Sequence, residues 1–288
     1  MSSGKMKIIF ANSSTARRLA YINEVFFKSD SMPEIMKMYP MLYGKSFYRA
    51  TLAANAIHRM GKDREAFYNA IIHDNQKRIE ALAGKEAKRL IQKSGIPLIN
   101  RYSRTFRAFR KSLIKTYKAI QPMEPVVRKV FGVDLPKKLI IVLTENIHGK
   151  MSCKMLYYNA AESAISLTIN HSSKTDPGVA ISEIMQLLIK TLVAQEGIVK
   201  QQGKDGWIFS DAVISYFVPN GMLSESMRFI EKKPISEYMR ANTAANAELS
   251  EISKRLLPYM EEYYKRFATM TIWDYLRMTE FAEYIKAT

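Results

Sequence analysis

The chain has 288 residues, of which 47% are hydrophobic and 25% are charged. This composition excludes a disordered protein, and the length allows one large domain or two modest ones with a sizeable core. The formal net charge of +17 favours anionic partners such as nucleic acid or a membrane surface, although a basic protein without such a partner has the same composition.

The cysteine content and the N-terminus indicate where the protein works. Cys153 is the only cysteine, which excludes an internal disulfide and indicates a reducing compartment. The N-terminal run "IIFA" is too short for the core of a signal peptide, and no stretch approaches the about 20 apolar residues that a membrane span requires. We therefore expect a cytoplasmic protein without a membrane span.

Residues 1–135 are predicted to be mostly helical. "MKIIFANSS" predicts a short strand or a buried lead-in, and "STARRLAYINEVFF" then begins a helix with a serine cap. The segment "RYSRTFRAFRKSLIKTYKAI" has apolar residues at helical spacing, which predicts one buried stripe along a helix. The stripe consists of Tyr102, Phe106, Phe109, Leu113 and Tyr117.

Residues 136–174 change to the period of a β-sheet. "KKLIIVLTEN" has the length of a strand, and "KMSCKMLYYN" and "AISLTINHS" alternate between apolar and polar residues. Residues 175–288 return to helix. The order predicts an α+β fold, mostly helical with a small mixed sheet. The predicted regions are a helical N-terminal region over 1–135, a sheet with central helices over 136–220, and a helical C-terminal region over 221–288.

The segment "TDPGVAISEIMQLLIKTLVAQEG" predicts a helix that is apolar nearly all round and therefore buried. Thr175 or Asp176 caps its start, and Gly197 lies just beyond its end. Its polar residues share one face, because they follow one another at steps of four with a glutamate beside them. These residues are Ser182, Gln186 and Lys190, with Glu183 next to the first.

This helix has the outline of a zinc-protease active site. In the H-E-x-x-H motif two histidines bind zinc and the glutamate acts as general base, and here the frame reads "SEIMQ" from Ser182 to Gln186. Downstream, "GWIFSDAVISYFVPNG" is similar to the W-x-x-x-E-G-x-x-x-Y-F segment of gluzincin-type metallopeptidases. Asp211 stands at the third zinc-ligand position and Tyr216 in the aromatic pair. Residues 136–220 therefore resemble a gluzincin domain, with its sheet packed on the active-site helix.

The resemblance implies a degenerate active site. Ser182 and Gln186 replace the two histidines and Asp211 replaces a glutamate, so that only Glu183 is retained, as a vestige of the catalytic base. A hydroxyl and a neutral amide are poor zinc ligands. Without zinc, the pKa of the hydrolytic water returns from about 7 towards about 15.7. We predict a pseudoenzyme that holds neither metal nor cofactor, and keep a residual hydrolase with an unconventional metal site as an alternative.

The same resemblance implies binding of a peptide or protein in the former substrate cleft. A peptide would add beside "AISLTINHS" as an edge strand, through backbone hydrogen bonds that need no metal. His58 and His73 are assigned instead to helix surfaces. The candidates for lining the cleft are Lys190, Tyr216, Ser166, Thr168, Asn170 and His171.

Basic residues are concentrated over residues 77–118, where 13 positive and 2 negative side chains give a local net charge of 13 − 2 = +11. This segment supports a second hypothesis, nucleic-acid binding through phosphate contacts. A solvated polar face of an amphipathic helix explains the same pattern. The predicted contacts lie opposite the apolar stripe, and they are Arg101, Arg104, Arg107, Arg110 and Lys111.

Overall fold

The computed structural model divides into two compact units, each built from separate stretches of the chain. The sheet unit comprises Lys7–Lys111 and Lys138–Thr175, and the helical unit comprises Met1–Met6, Ser112–Lys137 and Asp176–Thr288. Consecutive stretches of the chain therefore belong to different units. The structure describes residues 5–11, 13–27, 40–94, 104–120, 122–146, 151–159, 161–170, 175–200, 203–218, 247–266 and 269–286.

The sheet unit contains a mixed sheet of four strands in the order β1-β2-β4-β3. Strands β1 and β2 and strands β2 and β4 are parallel, whereas β3 and β4 are antiparallel. The interior position of β4 corrects the expectation that "AISLTINHS" is an edge strand, because β2 and β3 already pair with both of its sides. The strands are β1 (Lys7–Phe10), β2 (Lys138–Asn146), β3 (Ser152–Tyr158) and β4 (Glu162–Asn170).

In the part of the chain that the structure describes, four complete helices also belong to the sheet unit, together with a short 3₁₀-helix at Gly61–Asp63. Helix α1 contacts β2, α3 contacts β3, and α2 contacts both α1 and α4. The small residues Ala50, Ala53 and Ala54 are buried in α2, which allows its neighbours to approach closely. The helices are α1 (Ser14–Phe27), α2 (Pro40–His58), α3 (Arg64–Ile72) and α4 (Gln76–Lys93).

Helix α5 (Arg104–Ala119) runs from the sheet unit into the helical unit. The predicted apolar stripe is confirmed for the described residues, because Phe106, Phe109, Leu113 and Tyr117 are all buried. The remaining member, Tyr102, lies outside the described residues.

The interior of the helical unit contains several fully buried aromatic side chains, among them Phe131, Phe209, Phe217, Tyr263 and Phe281. Helix α7 contacts α6 and α8, α8 contacts α9, and α10 contacts α6 and α9. The helices are α6 (Glu124–Phe131), α7 (Pro177–Gln195), α8 (Gly203–Ser215), α9 (Ala247–Arg266) and α10 (Ile272–Arg277), followed by a 3₁₀-helix at Glu280–Tyr284.

The predicted fold class is confirmed as α+β, mostly helical with a small mixed sheet. The buried central helix is α7, which begins after Asp176, whose carboxylate accepts a hydrogen bond of 2.7 Å from the amide of Gly178. It ends before Gly197, whose φ of +61° favours glycine. The sheet contacts α1 and α3 in its own unit, and α7 belongs to the other unit.

Helix α7 is also the one helix in the described part of the chain that is long and apolar enough to cross a membrane. About half of this helix is buried inside the protein. Core helices of many proteins pass this test, so its length and composition are weak evidence for a membrane span.

Candidate functional site

The polar face of α7 forms paired contacts with α8. Lys190 Nζ lies 2.8 Å from Asp211 Oδ1, and Gln186 Nε2 donates a hydrogen bond of 3.2 Å to Ser215 Oγ. The partner positions move four residues forward on one helix and four back on the other, so the two helices run antiparallel. Asp211, the expected third ligand, is therefore engaged by a lysine, and Gln186 by a hydroxyl.

The other two positions of the degenerate motif have different surroundings. Ser182 is buried, and Glu183 is half-buried. Burial raises the pKa of the Glu183 carboxyl, and the nearby charge of Lys190 opposes this shift. Within the described ranges no group of three or more His, Cys, Asp or Glu side chains is placed to hold a metal ion.

The residues expected to line a peptide cleft are mostly enclosed. Tyr216 is fully buried, and its hydroxyl donates a hydrogen bond of 2.6 Å to the carbonyl of Ser253. Ser166 and Thr168 are buried in the interior strand β4, where the Thr168 hydroxyl lies 2.8 Å from that of Thr144. These side chains are occupied by the fold rather than presented to a ligand. His171 and the side chain of Asn170 lie outside the described part of the structure.

Helix α5 carries the clearest exposed feature, which we call the basic stripe. Its four cations are exposed and follow one another at steps of four, four and three, so that they lie along one side of the helix. None of them forms an ion pair with an acidic side chain in the described part of the chain. The stripe consists of Arg107, Lys111, Lys115 and Lys118.

The stripe only partly matches the contacts predicted from the sequence. Arg107 and Lys111 belong to it, whereas the guanidinium carbon of Arg110 lies 4.7 Å from the centre of the Phe10 ring. That cation–π contact turns Arg110 towards the sheet unit's own strand β1. Arg101 and the side chain of Arg104 lie outside the described residues. The sequence analysis did not include Lys115 and Lys118 among the candidates. It grouped basic residues that are three positions apart, whereas the stripe is spaced mainly at four.

A second polar feature, the Glu162 cluster, converges on one carboxylate at the start of β4. Glu162 Oε1 accepts a hydrogen bond of 2.7 Å from the Tyr157 hydroxyl and one of 3.3 Å from Asn69 Nδ2. The same oxygen lies 3.5 Å from His73 Nε2, and Oε2 pairs with Lys138 Nζ. Strands β2, β3 and β4 and helix α3 each contribute to the cluster.

The partners of Glu162 keep its carboxylate ionised. Burial alone would raise the pKa of Glu162, but hydrogen bonds from Lys138, Tyr157 and His73 outweigh it and lower that pKa to about 2. Burial, and then the hydrogen bond to Glu162, raises the pKa of the Tyr157 hydroxyl well above its usual range. The side chains of His73 and Lys138 remain 49% and 34% exposed. The cluster therefore has a buried anionic centre and two groups that reach solvent.

The sequence analysis assigned His73 to a helix surface, and the structure places it as the exposed residue that caps the C-terminal end of α3. The sequence did offer one signal, since Asn69 in α3 and His73, the residue that caps the C-terminal end of α3, are only four residues apart. Their partner Glu162 is 89 residues beyond His73, and only the folding of β4 beside α3 brings them together.

Comparison with known proteins finds no matching family model, no matching curated protein and no matching solved structure. The resemblance to gluzincin-type metallopeptidases therefore stays a prediction that rests on residues 136–220 alone.

Proposed function

We propose that the protein binds nucleic acid through the basic stripe of α5. The observation that carries this proposal is a row of four exposed cations without acidic partners in the described part of the chain. Helix α5 contains no Asp or Glu in its sequence "RTFRAFRKSLIKTYKA". Positive charge that nothing in the described structure neutralises is available to phosphate groups.

The spacing of the stripe suits a phosphate backbone. A helix rises 1.5 Å per residue, so cations four residues apart are separated by about 6 Å along the helix axis. The stripe from Arg107 to Lys118 thus covers about 16 Å, over which a duplex presents several phosphates. Contacts from lysine and arginine to phosphates carry no sequence information. We therefore expect binding that depends little on base sequence.

The buried side of α5 argues for nucleic acid rather than a membrane surface. A helix that lies in a membrane interface inserts its apolar face between the lipids. The apolar residues Phe106, Phe109 and Leu113 are enclosed in the protein. The helix can therefore interact with an anionic surface only through its charged side chains.

Support for the peptide-binding pseudoenzyme is weaker. The strand expected to accept a peptide, β4, is paired on both sides. The side chains of Tyr216, Ser166 and Thr168, expected in the cleft, are buried. That hypothesis would regain support if a peptide protected α7 or β4 from hydrogen exchange.

The test is a salt titration of binding to fluorescent DNA and RNA oligonucleotides, followed by anisotropy. Four neutralised phosphates predict that log K falls with log salt concentration with a slope of about −3.6 on duplex DNA and about −2.8 on single strands. Changing all four stripe residues to Gln should weaken binding to every sequence and flatten that slope. The stripe variant is Arg107→Gln, Lys111→Gln, Lys115→Gln and Lys118→Gln.

A matched control removes four other exposed cations, so that both variants have a net charge of 17 − 4 = +13. The control should retain most of the binding and most of the salt slope. Equal losses in the two variants would show that total charge alone drives binding, and no binding at low salt would also refute the proposal. The control changes are Arg59→Gln, Arg64→Gln, Lys254→Gln and Lys286→Gln, all at exposed positions.

A further inference from the structure

We propose that the Glu162 cluster is a catalytic site that cleaves bound RNA, with His73 as the general base and Lys138 as the cationic group. This inference rests on the proposed nucleic-acid binding, which supplies the substrate class. It assigns a chemical role to side chains that the basic stripe does not use.

The distribution of exposure in the cluster supports an active site. Glu162 and Tyr157 are buried, as groups that fix the geometry should be. His73 and Lys138 are held by the same carboxylate yet reach solvent. A network that only tied α3 to the sheet would not need an imidazole with half of its surface open to water. The cluster therefore presents two functional groups from a rigid support.

The hydrogen-bonding roles identify the free nitrogen of His73. An ionised carboxylate can only accept hydrogen bonds, so the Nε2 atom that faces Glu162 carries the proton. In the neutral form of the ring the Nδ1 atom then has a lone pair and can accept a proton from a substrate. The Glu162 carboxylate also stabilises the imidazolium that forms. Glu162 is thus a positioning residue, and His73 is the residue that touches the substrate.

Lys138 supplies the positive charge that the reaction needs. Its ammonium group pairs with Oε2 of Glu162, while His73 faces Oε1 of the same carboxylate. The two groups consequently lie around a single anchor. A lysine in this position can stabilise charge that develops on a phosphoryl oxygen and can give a proton to a leaving oxygen.

The cluster lacks a nucleophile of its own, which selects the substrate. In the described part of the chain, no serine, threonine or cysteine side chain bonds to Glu162 or His73. RNA carries its own nucleophile in the 2′-hydroxyl next to each phosphodiester, whereas DNA does not. A base and a cation are therefore sufficient for RNA and insufficient for DNA.

The proposed step is a transesterification that balances without a co-reactant. His73 Nδ1 removes the proton of the 2′-hydroxyl, the 2′-oxygen forms a bond to phosphorus, and the bond from phosphorus to the 5′-oxygen breaks. The departing 5′-oxygen takes a proton from the Lys138 ammonium. Solvent then returns His73 to its neutral form and Lys138 to its charged form. The products are a 2′,3′-cyclic phosphate end and a 5′-hydroxyl end.

The experiment incubates the full-length protein with a fluorescent RNA oligonucleotide in the presence of EDTA and identifies the ends of the products. A matched oligonucleotide with 2′-O-methyl groups should stay intact. His73→Ala should lower kcat by about 100-fold or more, and added imidazole should restore part of the activity. His58→Ala is the matched control, because His58 is an exposed histidine outside the cluster, and it should leave the rate unchanged.

A second variant tests the positioning role. Glu162→Gln should lower kcat while leaving KM for RNA unchanged, because the basic stripe and not Glu162 provides the proposed binding contacts. Since Glu162 is buried and its variant is expected to be less stable, the rates are compared at a temperature at which circular dichroism shows both proteins to be folded. His73→Ala removes an exposed side chain, so it decides the matter even if Glu162→Gln does not fold.

Several results would overturn the inference. These are no RNA cleavage above the blank, cleavage that persists in His73→Ala, and equal cleavage of the 2′-O-methyl oligonucleotide. RNA that binds through the stripe but is not cleaved would refute this site and leave the proposed function standing. Binding that ignores the stripe would refute the proposed function, whatever happens to the RNA.

Discussion

Helices α5 and α7 differ in whether their charged side chains have partners within the protein. On α5 the four stripe cations are exposed and have no acidic partner in the described part of the chain. On α7 the one lysine, Lys190, is paired with Asp211 of α8, and its neighbour Gln186 bonds to Ser215. The polar face of α7 joins two helices, whereas the four stripe cations of α5 form no such pair within the described residues.

This contrast shows why the residue types of a motif are insufficient evidence of a site. The sequence of α7 has the spacing of an enzyme motif, yet its polar side chains satisfy one another across a helix pair. The sequence of α5 has no motif, yet its four stripe cations are exposed and form no ion pair within the described residues. Of these two helices, α5 is therefore the better candidate for phosphate binding, because the polar side chains of α7 already bond to α8.

The largest expected effect separates the two sides of α5. Phe106→Ala removes a buried ring, and it should lower the free energy of unfolding by about 3–5 kcal/mol, through lost burial and the cavity left behind. The adjacent Arg107→Ala removes an exposed side chain and should change it by less than about 0.5 kcal/mol. Urea unfolding followed by circular dichroism measures both values. Similar losses in the two variants would mean that the stripe is part of the core and would remove the contrast with α7.

A smaller effect is expected from removing the charge of Glu162, which is paired like the charge of Lys190 on α7 and unlike the stripe cations of α5. Its pKa is lowered from 4.5 to about 2 in the folded protein, a shift equivalent to about 3 kcal/mol. Because the folded pKa lies below the unfolded one, this stabilisation is present above about pH 4.5 and is lost as the pH falls towards 2. Glu162→Gln should therefore be less stable at pH 7, and the difference should shrink in acid.

The exposed residue Glu251 provides the control for that measurement. Glu251→Gln should leave the free energy of unfolding nearly unchanged across the same pH range. A Glu162→Gln penalty that stays constant from pH 7 to pH 3 would contradict the pairing, because it would then arise from shape rather than charge.

The smallest effect concerns the ion pair between α7 and α8. Lys190 and Asp211 are 26% and 39% exposed at their side chains, so water screens their attraction. A double-mutant cycle with Lys190→Met and Asp211→Asn should give a coupling of about 0.2–1 kcal/mol. Lys118→Met combined with Asp211→Asn should give none, because both residues lie in the helical unit and no ion pair joins Lys118 to an acidic side chain in the described structure. Equal coupling in both cycles would contradict the prediction that Lys190 is paired with Asp211 and that the stripe cation is not.

The positions of the helices were the part of the fold that the sequence predicted best. The apolar spacing of Phe106, Phe109 and Leu113 predicted the buried side of α5, because the period of a helix alone fixes which residues share a face. The cap at Asp176 and Gly197 likewise marked the ends of α7. These features depend on residues that are close in sequence.

The order of the strands in the sheet was harder to predict from the sequence than the positions of the helices. Alternation in "AISLTINHS" predicted a strand with one polar face, but Ser166 and Thr168 are as buried as Leu167. The sequence of a strand does not state how many neighbours it has, and pairing with β2 and β3 placed β4 in the interior of the sheet. For the same reason the sequence did not reveal that Ser166 and Thr168 are unavailable to a peptide.

The sequence by itself determined the α+β class, the buried side of α5 and the burial of α7, because each follows from composition or from a period of two or 3.6 residues. Only the tertiary structure decided which polar groups are satisfied. It paired Lys190 with Asp211, turned Arg110 onto the ring of Phe10, and brought His73 to Glu162. Such partners lie tens of residues apart, and a contact of a few ångströms between them depends on the packing of whole elements rather than on any local pattern.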